Sequence, residues 1–343
     1  MSPSPSPPSA RPAAQSSERA LLQRLTAGPV SGDTLARESG QTRAAVWKRI
    51  ELLREAGVPI VARAGVGYAL EQPLTLLDPS AILDALTAAD RARMASLDIA
   101  WSIDSTNAEL LRRPMPGANA EVLLAERQTG GRGRRGRSWQ SPLAAHLYLS
   151  LQRGFEGGLA RLGGLSLVAG VAVVEALRAL GIEAVRLKWP NDLVVDVGGL
   201  RKLGGILVEG GGEHAGPVRA VLGIGVNVRM PEAQAAAIDQ PWTDLATCCA
   251  DAPPTRDALA AALVAAWLQA LDLFDREGLA PFRARYARID ALDGAAVDIH
   301  TGNGTLRGIA AGIEDDGALR VRVDGALRVF HAGEVSVRRG DIA

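Results

Sequence analysis

Residues 130 to 139 read Gly-Gly-Arg-Gly-Arg-Arg-Gly-Arg-Ser-Trp, setting Arg132, Arg134, Arg135 and Arg137 among glycines in a chain whose formal net charge is zero. Guanidinium forks make bidentate contacts to carboxylate and phosphate oxygens. Gly131, Gly133 and Gly136 let the backbone approach a ligand and turn through positive φ. The block therefore predicts a loop that closes over an anion. Three other readings compete. Gly131-x-Gly133-x-x-Gly136 spells the dinucleotide fingerprint, and a strand-like run, Ala120 to Ala125, precedes it. A Rossmann loop must open a helix, however, whereas Gln140-Ser141-Pro142 leads here into His146-Leu-Tyr-Leu-Ser-Leu151, which alternates as a strand does. An Arg/Gly RNA-binding tail would be long and disordered, and this block is short and lies between two strand patterns. A solvated surface loop is the plain alternative.

Lysine is the second clue. Basic residues are spelled almost entirely as arginine, and the lysines are Lys48, Lys188 and Lys202. Where lysine survives such a bias, a compact ammonium is read as needed rather than any positive charge. Lys188 and Lys202 flank one short region, which becomes the second place to look for chemistry.

The elements that must position these groups fall into three parts. At 343 residues and 47% hydrophobic, the chain is expected to hold two or three domains. Residues 1–17 open with Met1-Ser-Pro-Ser-Pro-Ser-Pro-Pro8 and read as a disordered tail rather than a signal peptide. Over 18–70, helices at Leu21 to Leu25, Gly32 to Ser39 and Thr42 to Ala56 precede a hairpin from Val58 to Ala69, which predicts a winged helix-turn-helix. Its third helix carries Arg43, Lys48 and Arg49 beside Trp47, a local DNA-binding face on a neutral chain; a packing or dimerisation module is the alternative. After a linker with Pro73 and Pro79, a helix over Ser80 to Ala95 is expected. Strands at 97–101, 121–125, 147–151, 184–187, 203–209 and 220–225 with helices at 162–180 and 256–277 then argue for an α+β domain with a mixed sheet over 80–290. Short strands at 295–300, 305–313, 319–323 and 327–332, separated by turns such as Gly302-Asn303-Gly304, predict a small antiparallel barrel over 291–343. Adjacent Cys248 and Cys249 give neither disulfide framework nor zinc pattern and point to a reducing cytoplasm. The longest apolar stretch, Leu165 to Val174, is too short to span a bilayer, so no membrane is expected.

Asp104-Ser105-Thr106-Asn107, Gln128 through Trp139, Lys188-Trp189-Pro190-Asn191-Asp192, Lys202 through Glu209, and Gly223-Ile-Gly-Val-Asn227 form a set. Singly, Ser-Thr-Asn reads as a helix cap and Pro-Asn-Asp as a turn. In this order and spacing they closely resemble the biotin protein ligases, and the three-part layout is similar to the bifunctional form that also acts as biotin operon repressor. The resemblance covers essentially everything after residue 18. It implies a class II synthetase-like ligase domain and an SH3-like C-terminal barrel.

The resemblance also implies an activity. Biotin and MgATP give biotinoyl-adenylate and pyrophosphate, and the acyl group passes to one lysine of the biotin carboxyl carrier protein of acetyl-CoA carboxylase. A carboxylate must meet an α-phosphate, both anions, so catalysis should be positioning and charge neutralisation without a protein nucleophile. By resemblance Ser105, Thr106, Asn107 and Gln128 bind the ureido head of biotin. Arg132, Gly133 and Arg134 fold over the adenylate, and Lys188 contacts carboxyl and phosphate oxygens. Trp139, Asn191 and Asn227 face the nucleotide. Lys188, Arg132 and Arg134 are the catalytic candidates; no metal ligand is singled out for Mg2+. The adenylate-bound form is expected to be a homodimer on operator DNA, with Arg43, Lys48 and Arg49 at the phosphates. A ligase without repressor function, and a lipoate or octanoyl ligase of related fold, are the alternatives. Every residue assigned to chemistry lies after Asp104, which predicts an N-terminal module separable from the ligase.

Overall fold

The computed structural model describes residues 12–212, 215–250, 252–302 and 304–340. Residues 1–11 of the expected tail, and Asn303 of the expected turn, lie outside them. Helix α1 (Pro12–Thr26) begins inside the stretch read as tail. It is held by tertiary contacts no local pattern reveals: Trp101 Nε1 donates to Glu18 at 3.2 Å and Arg19 to the Leu77 carbonyl at 3.4 Å. Helices α2 (Gly32–Ser39) and α3 (Arg43–Glu55) follow, capped by the Ser31 and Thr42 side chains, and Gly40 ends α2 in the left-handed region. Val46, Ile50 and Leu53 turn one face of α3 inward, and β1 (Ile60–Arg63) pairs antiparallel with β2 (Gly67–Leu70) as the wing.

This module shares its core with the rest of the chain. Trp101, Leu143 and Ala144 belong to its apolar cluster. Leu143 N–H donates to the Ala56 carbonyl at 2.8 Å. Gly57, at φ +98°, lies so close to Pro142 that a Cβ would come within 2.6 Å of that ring. The module therefore rests on the segment that leaves the arginine-glycine block, and it covers Leu143 and Trp101.

Beyond the linker the expected single helix is two, α4 (Pro79–Ala85) and α5 (Ala88–Ala92), because Thr87 and Asp90 form a reciprocal capping box that starts a new helix. The chain continues through β3 (Met94–Ala100), α6 (Thr106–Arg112), β4 (Ala120–Ala125), β5 (Leu147–Phe155) and α7 (Leu165–Ala179). Then come β6 (Val185–Lys188), β7 (Asp192–Asp196), β8 (Leu200–Gly212) and β9 (Val218–Val226). The seven strands form one sheet in the order β3-β4-β5-β9-β8-β7-β6, with β3 and β4 parallel and every other pair antiparallel. The mixed α+β sheet is as expected, except that β7 is a strand beyond those expected and takes in Asp192 of the Pro-Asn-Asp turn, which already pairs with Lys188.

After the short helices α8 (Glu232–Ala235) and α9 (Leu245–Cys248), helix α10 (Arg256–Glu277) packs against α7, and α11 (Ala280–Ala287) follows. Helix α10 and the helical stretch 159–179 are long and apolar enough by length and composition alone to cross a bilayer. Each instead buries its apolar face inside the fold, with Val168, Val171, Leu263 and Trp267 fully covered. Strands β10 (Ala296–Thr301), β11 (Gly304–Ile313), β12 (Leu319–Val323), β13 (Ala326–Phe330) and β14 (Ser336–Arg339) make an antiparallel sheet in the order β13-β12-β11-β10-β14. The strands expected of the barrel are present, with β14 added. Its core is continuous with that of the large sheet.

The linker is pinned by a buried charge pair. Arg256 Nη2 lies 2.7 Å from Glu126 Oε2, and both side chains are almost fully buried. Glu126 also accepts from Leu77 N–H at 2.6 Å, and Arg256 donates to the carbonyls of Thr75 and His146. Removing one partner of such a pair strands the other charge in a low-dielectric interior. Glu126→Ala is expected to lower unfolding free energy by about 3–5 kcal/mol in denaturant titration. The apolar double replacement Glu126→Met with Arg256→Leu should recover most of it; a single-variant loss near zero would contradict the account.

Candidate active site

The arginine-glycine block, the β6–β7 hairpin, the open face of β8 and β9 and strand β14 surround a cleft of about 1470 Å³. Ser105, Thr106, Asn107 and Gln128 line one end, and Arg132, Gly133, Arg134, Trp139, Lys188 and Asn191 line the remainder. Asn227 lies outside this cleft, on an adjoining pocket of about 90 Å³ that it shares with Trp139 and Lys202. Arg43, Lys48 and Arg49 lie apart on α3; Arg43 pairs with Asp33 at 3.1 Å and Trp47 is 55% exposed beside them.

The Ser-Thr-Asn end starts as a helix cap and becomes a polar wall. Ser105 Oγ accepts from Ala108 N–H at 3.3 Å as the N-cap of α6. Thr106 N–H donates to Gln128 Oε1 at 2.9 Å, which orients that amide against the helix start. Asn107 is engaged internally: Nδ2 donates to the Leu207 carbonyl at 3.1 Å and to Glu209 at 2.8 Å, while Oδ1 accepts from Ser150 at 2.6 Å. A Cβ at Gly223 would overlap the Asn107 amide, so the glycine makes room for it. Below, Arg112 grips Asp104 with two bonds of 2.7 and 2.9 Å and holds its carboxyl down to about 2.

The arginine loop is a folded hairpin. Gly133 N–H donates to the Arg137 carbonyl at 2.7 Å and Trp139 N–H to the Gly131 carbonyl at 2.9 Å, while Gly130 N–H reaches the Asp104 carbonyl at 2.8 Å. Positive φ falls on Arg135 (57°) and Gly136 (72°), whereas Gly133 is extended. The glycines thus act differently from one another: Gly136 turns the chain, and Gly131 permits close approach, a Cβ there meeting Ser141 Oγ at 2.8 Å. Arg132 reaches Glu209 at 3.4 Å. Arg134 donates to Asn191 Oδ1 at 3.2 Å and to the Ala332 carbonyl, so the C-terminal sheet holds the loop over the cleft. Burial favours the neutral form of its guanidinium.

Lys188 is a largely covered cation of the cleft that lacks a carboxylate partner among the described residues. Asp192, its strand partner, is taken by Lys202 at 2.7 Å, and Asp196 by Arg339 at 2.7 Å. Among the described residues no carboxylate lies within ion-pair distance of Lys188. Burial pushes its pKa down, Asp192 pulls it partly back, and Lys202, Arg338 and Arg137 push it down further. Such crowding of cations leaves a deficit of negative charge, which an entering anion would fill. Among the described residues no group of three or more His, Cys, Asp or Glu could hold a metal.

Trp139 lies flat on the sheet. A Cβ at Gly225 would come 2.5 Å from its Nε1, and Lys202 Nζ lies 5.4 Å from the ring centroid. That buried Nε1 has no hydrogen-bond partner. Asn191 Nδ2 donates to the Ile206 carbonyl at 2.6 Å, and Asn227 Nδ2 to the Thr243 carbonyl at 3.0 Å, so both amides also brace the backbone. Sequence reasoning missed Ser150, hidden inside an apolar strand, and Arg338, contributed by the unpredicted β14. A serine on a wholly buried strand was a usable signal; the distal arginine carried none.

With three lysines in the chain, Lys188 can be followed individually. After reductive methylation with labelled carbon, its resonance should titrate below the ordinary lysine range. Asp192→Asn should lower it again by removing the one stabilising negative charge. Titration at or above the ordinary value would contradict the crowded-cation picture.

Comparison with known proteins agrees with this geometry. The Biotin/lipoate A/B protein ligase family model matches residues 101–227, an HTH domain model 18–69, and the Biotin protein ligase C terminal domain model 294–338. The chain is 40% identical over 311 residues to the Bifunctional ligase/repressor BirA of Escherichia coli (strain K12), covering 91% of this chain and 94% of that protein. It is 36% identical over 267 residues to the Biotin--[acetyl-CoA-carboxylase] ligase of Mycobacterium tuberculosis, covering 76% and 95%. Among solved structures it is similar to the biotin protein ligase from Aquifex aeolicus in complex with biotin and ATP, with a TM-score of 0.59 and 26% identity over 72% of this chain and 100% of that one. The chain belongs to the biotin protein ligase family, in its bifunctional ligase/repressor form.

Proposed function

We propose that the protein activates biotin with MgATP and transfers it to one lysine of a biotin carboxyl carrier protein of acetyl-CoA carboxylase. The observation that carries this reading is the unpaired Lys188 ammonium beneath an arginine hairpin, at one end of a cleft whose other end is a neutral polar wall. In the first step a biotin carboxylate oxygen bonds to the α-phosphorus and the bond to the β-phosphate bridging oxygen breaks, releasing pyrophosphate. In the second, the carrier amine displaces AMP from the acyl carbon and gives up its proton to solvent. Lys188 neutralises the converging oxyanions, and Arg132 and Arg134 with Gly133 close over the adenylate. Ser105, Thr106, Asn107 and Gln128 form the head pocket, and Trp139, Asn191 and Asn227 the nucleotide side. Asp192 and Asp196, two of the three cleft carboxylates, are already ion-paired, which favours Mg2+ entering on the nucleotide phosphates. A lipoate or octanoyl ligase is disfavoured by the hydrogen-bonding wall, which an unfunctionalised acyl tail would leave unmatched.

The second role is biotin-responsive repression. The exposed face of α3 offers Lys48 and Arg49 without ion-pair partners among the described residues, and one module makes few phosphate contacts. Operator binding is therefore assigned to a homodimer formed when the adenylate is bound. A gel-shift on the chain's own biotin-gene promoter should tighten with biotin and ATP; affinity indifferent to ligand would remove this role.

The ligase reading is tested by incubating protein, biotin, ATP, Mg2+ and a carrier domain, then weighing the carrier. One added biotinyl mass is expected, and none would overturn the assignment. Arg134→Gly, which loses both the Asn191 and Ala332 contacts, should still make adenylate but release it, so that bystander lysines become labelled. Normal adenylate synthesis with no leakage would contradict a retaining role for the loop.

A further inference from the structure

Two residues that do not line the cleft hold the ones that do. Ser150, on β5, is fully buried, and Glu209, on β8, lies behind Asn107. Leu207 C=O and the Glu209 carboxylate only accept hydrogen bonds, so the Asn107 nitrogen must face them and Oδ1 must face Ser150. An amide oxygen cannot donate, and Ser150 therefore gives its one hydroxyl hydrogen to Asn107 at 2.6 Å. Ser150 Oγ meets Thr106 Oγ1 at 2.7 Å, where the remaining hydrogen is that of Thr106. Thr106 Oγ1 also lies 3.1 Å from Gln128 Oε1, so its one hydrogen is engaged within the wall, by Ser150 or by Gln128, and what remains for a ligand is a lone pair. Beside it Gln128 Oε1 is held by Thr106 N–H, which leaves the Gln128 nitrogen to donate. One acceptor next to one donor matches a ureido group, whose N–H donates and whose carbonyl accepts.

We propose that Glu209 and Ser150 are positioning residues for biotin binding, acting through Asn107 to fix where Thr106 sits. The inference rests on the biotin reading above. Glu209 also meets Arg132 at 3.4 Å, so a variant there disturbs the loop as well. Ser150→Ala leaves that ion pair untouched, and the two variants together isolate the head pocket.

The test is steady-state kinetics of adenylate synthesis by the full chain, with direct calorimetric titration of biotin. Ser150→Ala and Glu209→Ala should each raise KM and Kd for biotin roughly tenfold, the effect of about one lost hydrogen bond. In Ser150→Ala KM for ATP should move less than about twofold, because the change lies at the head group, away from the phosphates, whereas Glu209→Ala also frees Arg132 of the loop. Glu209→Gln keeps an acceptor facing Asn107 and should return biotin affinity to within about threefold of wild type. Unchanged biotin constants in Ser150→Ala would overturn the proposal. So would a fall in melting temperature with biotin and ATP constants moving together, which is what a purely structural network predicts. Absence of biotin binding by the wild type would instead remove the ligase reading itself.

Discussion

A half-buried ammonium with no counter-ion is an unfavourable thing to build, and the middle of this protein is organised around one. Lys188 ends β6, faces Asp192 across a two-strand hairpin, and loses that carboxylate to Lys202. Lys202, Arg338 and Arg137 add to the positive field around it. The rest of the cleft follows from that constraint. The hairpin must be rigid enough to keep the ammonium from swinging to another anion, and it is braced by Asn191 against Ile206 and by Trp189, whose Nε1 donates to the Gly317 carbonyl at 3.0 Å. The C-terminal sheet is thereby part of the site, since it holds both the hairpin and, through Ala332, the arginine loop.

The other end of the cleft solves a different problem. Charge attracts any anion of suitable size, and selectivity has to come from buried polar groups that a wrong ligand would leave unmatched. We assign this to the wall of Thr106 and Gln128, beside which Gly223 admits Asn107 and Gly225 admits Trp139 onto the face of one strand. The N-terminal module is physically continuous with this machinery. The two residues after Trp139 lead to Pro142 and Leu143, which lie against Gly57 and Ala56 just beyond α3. The arginine loop is therefore joined through a few residues and one backbone hydrogen bond to the end of α3.

Much of this was legible in the sequence because local rules and tertiary needs agree there. Gly40 and Thr42 mark the helix-turn-helix by turn and capping chemistry, and α10 was readable to its ends from its apolar pattern. The arginine-glycine block announces an anion loop by composition. What escaped reading was set by distant contacts. Helix α1 extends into the Pro/Ser-rich start because Glu18 and Arg19 find partners on other elements. Asn107 reads as a ligand group, yet its amide is engaged by Ser150, Leu207 and Glu209, up to 102 positions away. Strand β14, which brings Arg338 to the cleft, is four residues with no turn signal of its own.

The central claim is that a compact, unpaired ammonium at position 188 neutralises two converging anions. Biotin-dependent exchange of labelled pyrophosphate into ATP measures that step alone, without carrier or DNA. Lys188→Arg keeps the charge but replaces a point donor with a planar fork, and the exchange rate should fall by about tenfold to a thousandfold while the melting temperature is retained. Exchange at the wild-type rate in a folded Lys188→Arg protein would contradict the claim.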